Sequence, residues 1–210
     1  MQLNHRIEYL VNKHLLTYLN DERYLLSFDH HHKLLWYRVP KVATRALNQY
    51  FEETIPQRKY VYCRMYVSYL KPFYTKYFKF AFVRHPADRL LSCWRNKVRD
   101  TNFFGFPPDQ REKMQDFSHF IDWVGTQNLE TAERHIRLQS SLIDMEEIDF
   151  LGRFEQLPTE LKRLEKRTPL PRIDLPKRNI TRKKSSERIT DRQRKKIETI
   201  YWKDYEVFNY

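Results

Sequence analysis

Two stretches pair a cationic side chain with a small hydroxyl residue where an apolar run gives way to a helical one. In WYRVPKVATRAL, Trp36 to Leu47, Lys41 and Thr44 stand on the turn. In FAFVRHPADRLLSCWR, Phe80 to Arg95, Arg84 closes the apolar run and Ser92 follows within the helical part. The first N–H groups of a helix lack intrahelical partners and carry partial positive charge, so a helix start binds anions. Lys adds a point charge, Arg a planar fork that matches phosphate oxygens, and a hydroxyl a short contact. In a parallel sheet both junctions open at the carboxyl ends of the strands, where they suit a ligand with two phosphates. The plainer alternative for the first is an ordinary strand-to-helix turn, with Lys41 solvated and Thr44 as N-cap.

A Walker-type nucleotide loop needs glycines that let its backbone wrap the phosphates. The chain has three, Gly105, Gly125 and Gly152, and none is near Lys41. A nucleoside triphosphatase is therefore not expected.

The elements that must position these residues are legible in outline. Leu3, Ile7, Leu10, Val11, His14, Leu15, Tyr18 and Leu19 follow helical spacing, and the segment 1–32 ends in the tract His30, His31, His32. Strands are predicted at 33–39, 60–67, 78–83 and 148–154. Helices are predicted through about 53, over 87–98, over 117–124 with Asp116 or Ser118 as cap, and from 158. Residues 168–188 read as a basic loop. A last helix, 190–210, starts at a capping box of Thr190 and Gln193 and shows Ile197, Ile200, Tyr201 and Phe208 on its apolar face. Strands alternating with helices predict an α/β fold, one domain over 1–210, with a mainly parallel central sheet flanked by helices.

The composition agrees with a packed globule: 210 residues, 40% hydrophobic and 15% aromatic. The formal net charge of +12 favours anionic partners such as nucleic acid, acidic lipid or phosphorylated and sulfated ligands. Two cysteines, Cys63 and Cys93, build neither a disulfide framework nor a CxxC metal site. No apolar run reaches membrane-spanning length and the start lacks a signal-peptide core, so a cytoplasmic chain without a membrane span is expected.

The ordered motifs resemble the two cofactor signatures of sulfotransferases that use 3′-phosphoadenosine 5′-phosphosulfate (PAPS): Pro-Lys at 40–41 with Thr44, then Arg84, Pro86, Arg89 and Ser92. KVATRAL is similar to the 5′-phosphosulfate loop of heparan sulfate 3-O-sulfotransferases. RVPK and FVRHPADRLLS resemble the chondroitin, HNK-1 and heparan 2-O carbohydrate sulfotransferases. So do ERHIRLQ (Glu133–Gln139), GRFEQL (Gly152–Leu157) and YWKDYEVFNY (Tyr201–Tyr210). The resemblance implies a P-loop-like nucleotide-binding sulfotransferase fold and transfer of a sulfuryl group from PAPS to a hydroxyl, of a carbohydrate, releasing adenosine 3′,5′-bisphosphate. It gives Lys41 the leaving-oxygen role and lets Val42, Ala43, Thr44 and Arg45 hold the 5′-phosphosulfate. Arg84 and Ser92 would hold the 3′-phosphate, and Arg178, Asn179 and Lys183 of the basic loop would lie near the nucleotide. Ala43 stands where many members have glycine, so this loop must accommodate a Cβ. The anchor helix and cysteine pairs of Golgi members are missing, which agrees with a cytoplasmic relative.

The acceptor hydroxyl needs a base, and His is the usual choice near neutral pH. His135 is the candidate, with Glu133 and Glu52 as alternatives; His85, inside the second junction, reads as structural. No metal is expected, because His30, His31 and His32 lack spaced partners to complete a site. Two other readings stay open: a basic nucleic-acid-binding protein, and a sulfotransferase fold that binds nucleotide without transferring sulfate. No nucleic acid is expected as a partner on the sulfotransferase reading, and the oligomeric state is not legible.

Overall fold

A computed structural model describes residues 22–56, 59–170 and 188–210. The expected N-terminal helix (residues 3–19) and Arg178, Asn179 and Lys183 lie outside the described residues. The strands are β1 Leu26–Asp29, β2 Leu34–Tyr37, β3 Tyr60–Tyr62, β4 Phe78–Val83 and β5 Phe150–Arg153. The first helices are α1 Thr44–Thr54, α2 Pro86–Trp94, α3 Pro108–Lys113 and α4 Phe117–Gly125. They are followed by α5 Leu157–Arg167, α6 Asp191–Ile200 and α7 Trp202–Phe208. The chain packs as two compact units. One takes the described parts of Met1–Val39, Ala43–Phe82 and Leu142–Pro176; the other takes those of Pro40–Val42, Val83–Ser141 and Lys177–Tyr210.

The first unit is built on a sheet of order β3-β1-β2-β4-β5. The α/β class stands, but the sheet is mixed rather than mainly parallel. β2 pairs with β4 in parallel, whereas β1 runs antiparallel to both β2 and β3. The cause is a hairpin that the sequence reading missed. β1, LSFD, alternates apolar and polar residues over only four positions, all of them buried, and the histidine tract forms its turn into β2. Asp29 holds that turn by accepting from the N–H groups of His31 and His32, at 2.9 and 3.0 Å. Hydrophobic strand faces then stack in register: Trp36 opposite Phe80 across β2 and β4, with Phe51 of α1 packed against both rings. β5 needs Gly152, because a Cβ there would lie 2.5 Å from the Phe82 ring.

In the second unit α2, α4 and α6 close around one apolar core that includes Leu90, Trp94, Phe120, Ile121, Val124, Ile197 and Tyr201. Pro86 opens α2, where its missing N–H costs nothing. Asp116 caps α4, accepting from the Ser118 N–H. The Thr190–Gln193 capping box opens α6 as expected, but the expected single C-terminal helix breaks at Tyr201 into α6 and α7. The break lets the Tyr201 hydroxyl donate to the Ile136 carbonyl at 2.6 Å.

Candidate functional site

The first junction leaves β2 through two residues in the left-handed region, Lys41 (φ 75°) and Ala43 (φ 61°). Between them the Val42 side chain is fully buried, which anchors the loop. Each left-handed residue with a Cβ costs roughly 1–2 kcal/mol, strain of a kind that gathers at binding sites. The N-cap of α1 is Ala43, not Thr44. Thr44 instead donates its hydroxyl proton to the Val39 carbonyl at 2.7 Å, closing the turn, so the plainer N-cap reading fails. The helical ladder starts only with Leu47 N–H to Ala43 C=O at 3.1 Å. The amides of Thr44, Arg45 and Ala46 therefore precede it, as an anion-binding helix start requires. The Arg45 side chain is exposed.

In the second unit the Lys41 ammonium donates to Asn96 Oδ1 at 3.3 Å. Asn96 is carried on a π-helical turn, Arg95–Arg99, that continues α2. At the second junction Arg84 donates from Nη1 to the Lys41 carbonyl at 3.3 Å, so the two basic residues meet. The Arg84 backbone is itself gripped. Its N–H donates to Gln139 Oε1 at 3.0 Å and its carbonyl accepts from Gln139 Nε2 at 2.8 Å. Gln139 is in turn fixed by Asp204 of α7, whose carboxylate accepts from the Gln139 N–H at 2.8 Å and from the Ser140 N–H at 2.9 Å. Ser92 lies half-buried on α2, and its hydroxyl has no protein hydrogen bond among the described residues. His85 is packed edge-on against the rings of Tyr205 and Tyr210, which agrees with its structural reading.

His135 is buried and rests on Glu133. Its ring Nδ1 is 2.9 Å from both Glu133 carboxylate oxygens, and the His135 backbone N–H donates to Oε2 at 2.8 Å. A carboxylate on Nδ1 fixes the proton there and leaves Nε2 with the basic lone pair. Nε2 has no protein partner among the described residues and is not a sealed atom. Burial lowers the imidazole pKa, with Lys97 and Arg134 adding to the fall and Glu133 opposing it. Burial alone would raise Glu133, but its hydrogen bond and charge attraction with His135 leave it lowered. Above 6.5, the ordinary histidine value, the pair is a neutral imidazole beside a carboxylate. Phe103 closes one side of the ring at 5.1 Å, with the Lys97 ammonium 3.9 Å from its centroid. Glu52 lies in the first unit, on α1, where its carboxylate accepts from Asn48 Nδ2.

Among the described residues no group of three or more His, Cys, Asp or Glu is placed to hold a metal ion. His30 bonds the Tyr77 hydroxyl at 2.7 Å and His32 is tied to Asp29, so two members of the tract have local structural partners. Both cysteines are buried thiols, and burial pushes Cys93 up to about 12. No helix among the described residues is long and apolar enough to cross a membrane.

The structure thus brings together Lys41 and Arg84, two of the residues singled out from sequence. It adds Asn96, Gln139 and Asp204, which that reading did not assign. ERHIRLQ and YWKDYEVFNY stood out only as blocks; their polar members, Gln139 and Asp204, gain a role once folding buries them against the second junction. The sequence pattern of the Sulfotransferase family matches residues 25–210. No curated protein and no solved structure matches the chain.

Proposed function

The chain belongs to the sulfotransferase family, and on that premise we propose that it transfers the sulfuryl group of PAPS to a hydroxyl of a carbohydrate. The observation that carries this reading is the contact of two basic residues from two strand-to-helix junctions, Arg84 donating to the Lys41 carbonyl. A phosphorylated nucleotide suits the donors of the second unit, an ammonium, a guanidinium and a hydroxyl. On the family resemblance the 5′-phosphosulfate is assigned to Lys41 and the amides of Val42, Ala43, Thr44 and Arg45. The 3′-phosphate falls to Arg84 and to Ser92, whose hydroxyl has no hydrogen bond among the described residues. Arg178, Asn179 and Lys183 are assigned to the nucleotide on the family resemblance alone. The likeness of KVATRAL to the heparan sulfate 3-O loop belongs to the same proposal, as do the P-loop-like character of the site and a cytoplasmic location.

PAPS, when bound, supplies a sulfur with a good leaving group. The chain's own residues do the rest by positioning and charge, since such transfers involve little covalent participation by protein. Lys41 would supply the positive charge that stabilises negative charge on the departing oxygen. His135 Nε2 takes the acceptor proton, oriented by Glu133 through Nδ1. The site has cationic donors rather than an oxygen-rich acidic cluster, so transfer is expected to proceed without Mg²⁺.

The test is transfer of labelled sulfate from PAPS across a panel of glycans and small hydroxylated metabolites, with and without EDTA. Chelation should leave the rate unchanged. Lys41→Ala should lower kcat far more than it weakens adenosine 3′,5′-bisphosphate binding. No transfer to any acceptor, despite bisphosphate binding, would instead support the reading of a nucleotide binder without transferase activity.

A further inference from the structure

Arg89 is 1% exposed, and no carboxylate pairs with it among the described residues. Its guanidinium makes three hydrogen bonds, all to backbone carbonyls far away in sequence: Nε to Pro40 at 3.2 Å, Nη1 to Arg137 at 2.8 Å and Nη2 to Arg134 at 2.8 Å. Pro40 directly precedes Lys41, and Arg134 directly precedes His135. One rigid side chain therefore spans from the loop that carries the ammonium to the turn that carries the imidazole. We propose that Arg89 is a positioning residue that fixes the Lys41 loop against the His135 turn, an inference that rests on the sulfuryl-transfer reading above.

The chemistry favours this over mere filling of the core. Burying a full positive charge without a counter-ion is costly, and an apolar residue of similar volume would fill the space without that cost. What only Arg supplies is a planar fork of donors pointing in several directions. Lys has one nitrogen on a flexible stem and cannot hold the three carbonyls in one geometry. The 134–139 turn is anchored elsewhere too, by Tyr201 at the Ile136 carbonyl and by Asp204 at the Gln139 N–H. The clamp on Arg84 thus runs through Gln139 and Asp204 and does not depend on Arg89. The two proposed reacting groups do depend on it for their spacing, and a misplacement of about 1 Å can cost on the order of 100-fold in rate.

The experiment uses the full chain carrying Arg89→Lys or Arg89→Gln. Three quantities are read: kcat for labelled-sulfate transfer, the Kd for adenosine 3′,5′-bisphosphate, and the titration of His135 by NMR. The imidazole is faced by Glu133, Lys97, Arg134 and the Phe103 ring. Both variants should lose about tenfold or more in kcat per bisphosphate-binding site while Kd stays within about threefold. The His135 pKa should rise toward 6.5 as the turn loosens and admits water. A residue that only filled the core would lower the melting temperature and leave kcat per binding site and the His135 titration unchanged, and that result would overturn the proposal. Should neither variant fold, the wild-type chain decides: a locked Arg89 shows separate, slowly exchanging Nη signals, whereas averaged signals contradict the strut. Failure of the transfer reading is distinguishable. In that case wild type transfers no sulfate, yet the His135 titration still moves in Arg89→Lys.

Discussion

Gln139 holds the peptide of Arg84 from both sides, accepting from its N–H at 3.0 Å and donating to its carbonyl at 2.8 Å. A strand that ends in a sheet leaves its last backbone groups without ladder partners, and here one buried side-chain amide replaces them. Asp204 fixes Gln139 in turn, so the C-terminal helix reaches the second junction through two polar side chains. Gln139→Ala should leave the Arg84 N–H and carbonyl without partners and cost about 2–4 kcal/mol of stability. Urea denaturation measures this. A loss below about 1 kcal/mol would mean that water replaces the amide without penalty.

Ala43 occupies a left-handed position that glycine adopts without a Cβ clash. Ala43→Gly should therefore be tolerated and raise stability by up to about 1 kcal/mol, the relief of strain being partly offset by the more flexible unfolded chain. Denaturant midpoints decide this. A clear destabilisation would show that the Cβ contributes packing that outweighs the strain.

Much of the α/β pattern was legible because it depends on local rules. β4 appears at its predicted residues, and the Thr190–Gln193 box and Asp116 cap are where side-chain chemistry places them. The β1–β2 hairpin was missed because its signal is minimal: LSFD alternates over only four residues, and its turn, His30 to Lys33, holds none of the Gly, Pro, Asn or Asp that mark hairpin turns. β3 is likewise shorter than predicted, Tyr60–Tyr62, with Val67 paired to Tyr24 as an isolated bridge. In the candidate site the charged residues could be picked out by type and spacing. Gln139, Asp204 and Asn96 could not, because their roles depend on partners 55 to 65 positions away.

The pH dependence follows from the His135–Glu133 pair. The folded pKa of His135 lies below 6.5 because burial outweighs the attraction of Glu133. A depressed histidine favours the native state when neutral. Its contribution is thus present above 6.5 and is lost as pH falls through the lower, folded value. Turnover should share this acid limb, with a midpoint below 6.5. Glu133→Gln removes an interaction that raises the histidine pKa, so the limb should move to still lower pH. The plateau should also fall, by about tenfold or more, as the imidazole loses its orienting partner. A pH–rate profile that Glu133→Gln leaves in place would remove this pair from the reaction.

The most direct test is a calorimetric titration of the wild-type chain and Arg84→Ala with adenosine 3′,5′-bisphosphate, AMP, ATP and a short oligonucleotide. A site built to read a 3′-phosphate should bind the bisphosphate most tightly, and at 100 times its Kd that ligand should stabilise the fold by about 2.7 kcal/mol. Arg84→Ala should weaken the bisphosphate by about 1.5–3 kcal/mol, the scale of a hydrogen bond to a charged group, and hardly affect AMP. Equal affinity for bisphosphate and AMP, or tightest binding of the oligonucleotide, would contradict the assignment of Arg84 and Ser92 to a 3′-phosphate and with it the proposed use of PAPS.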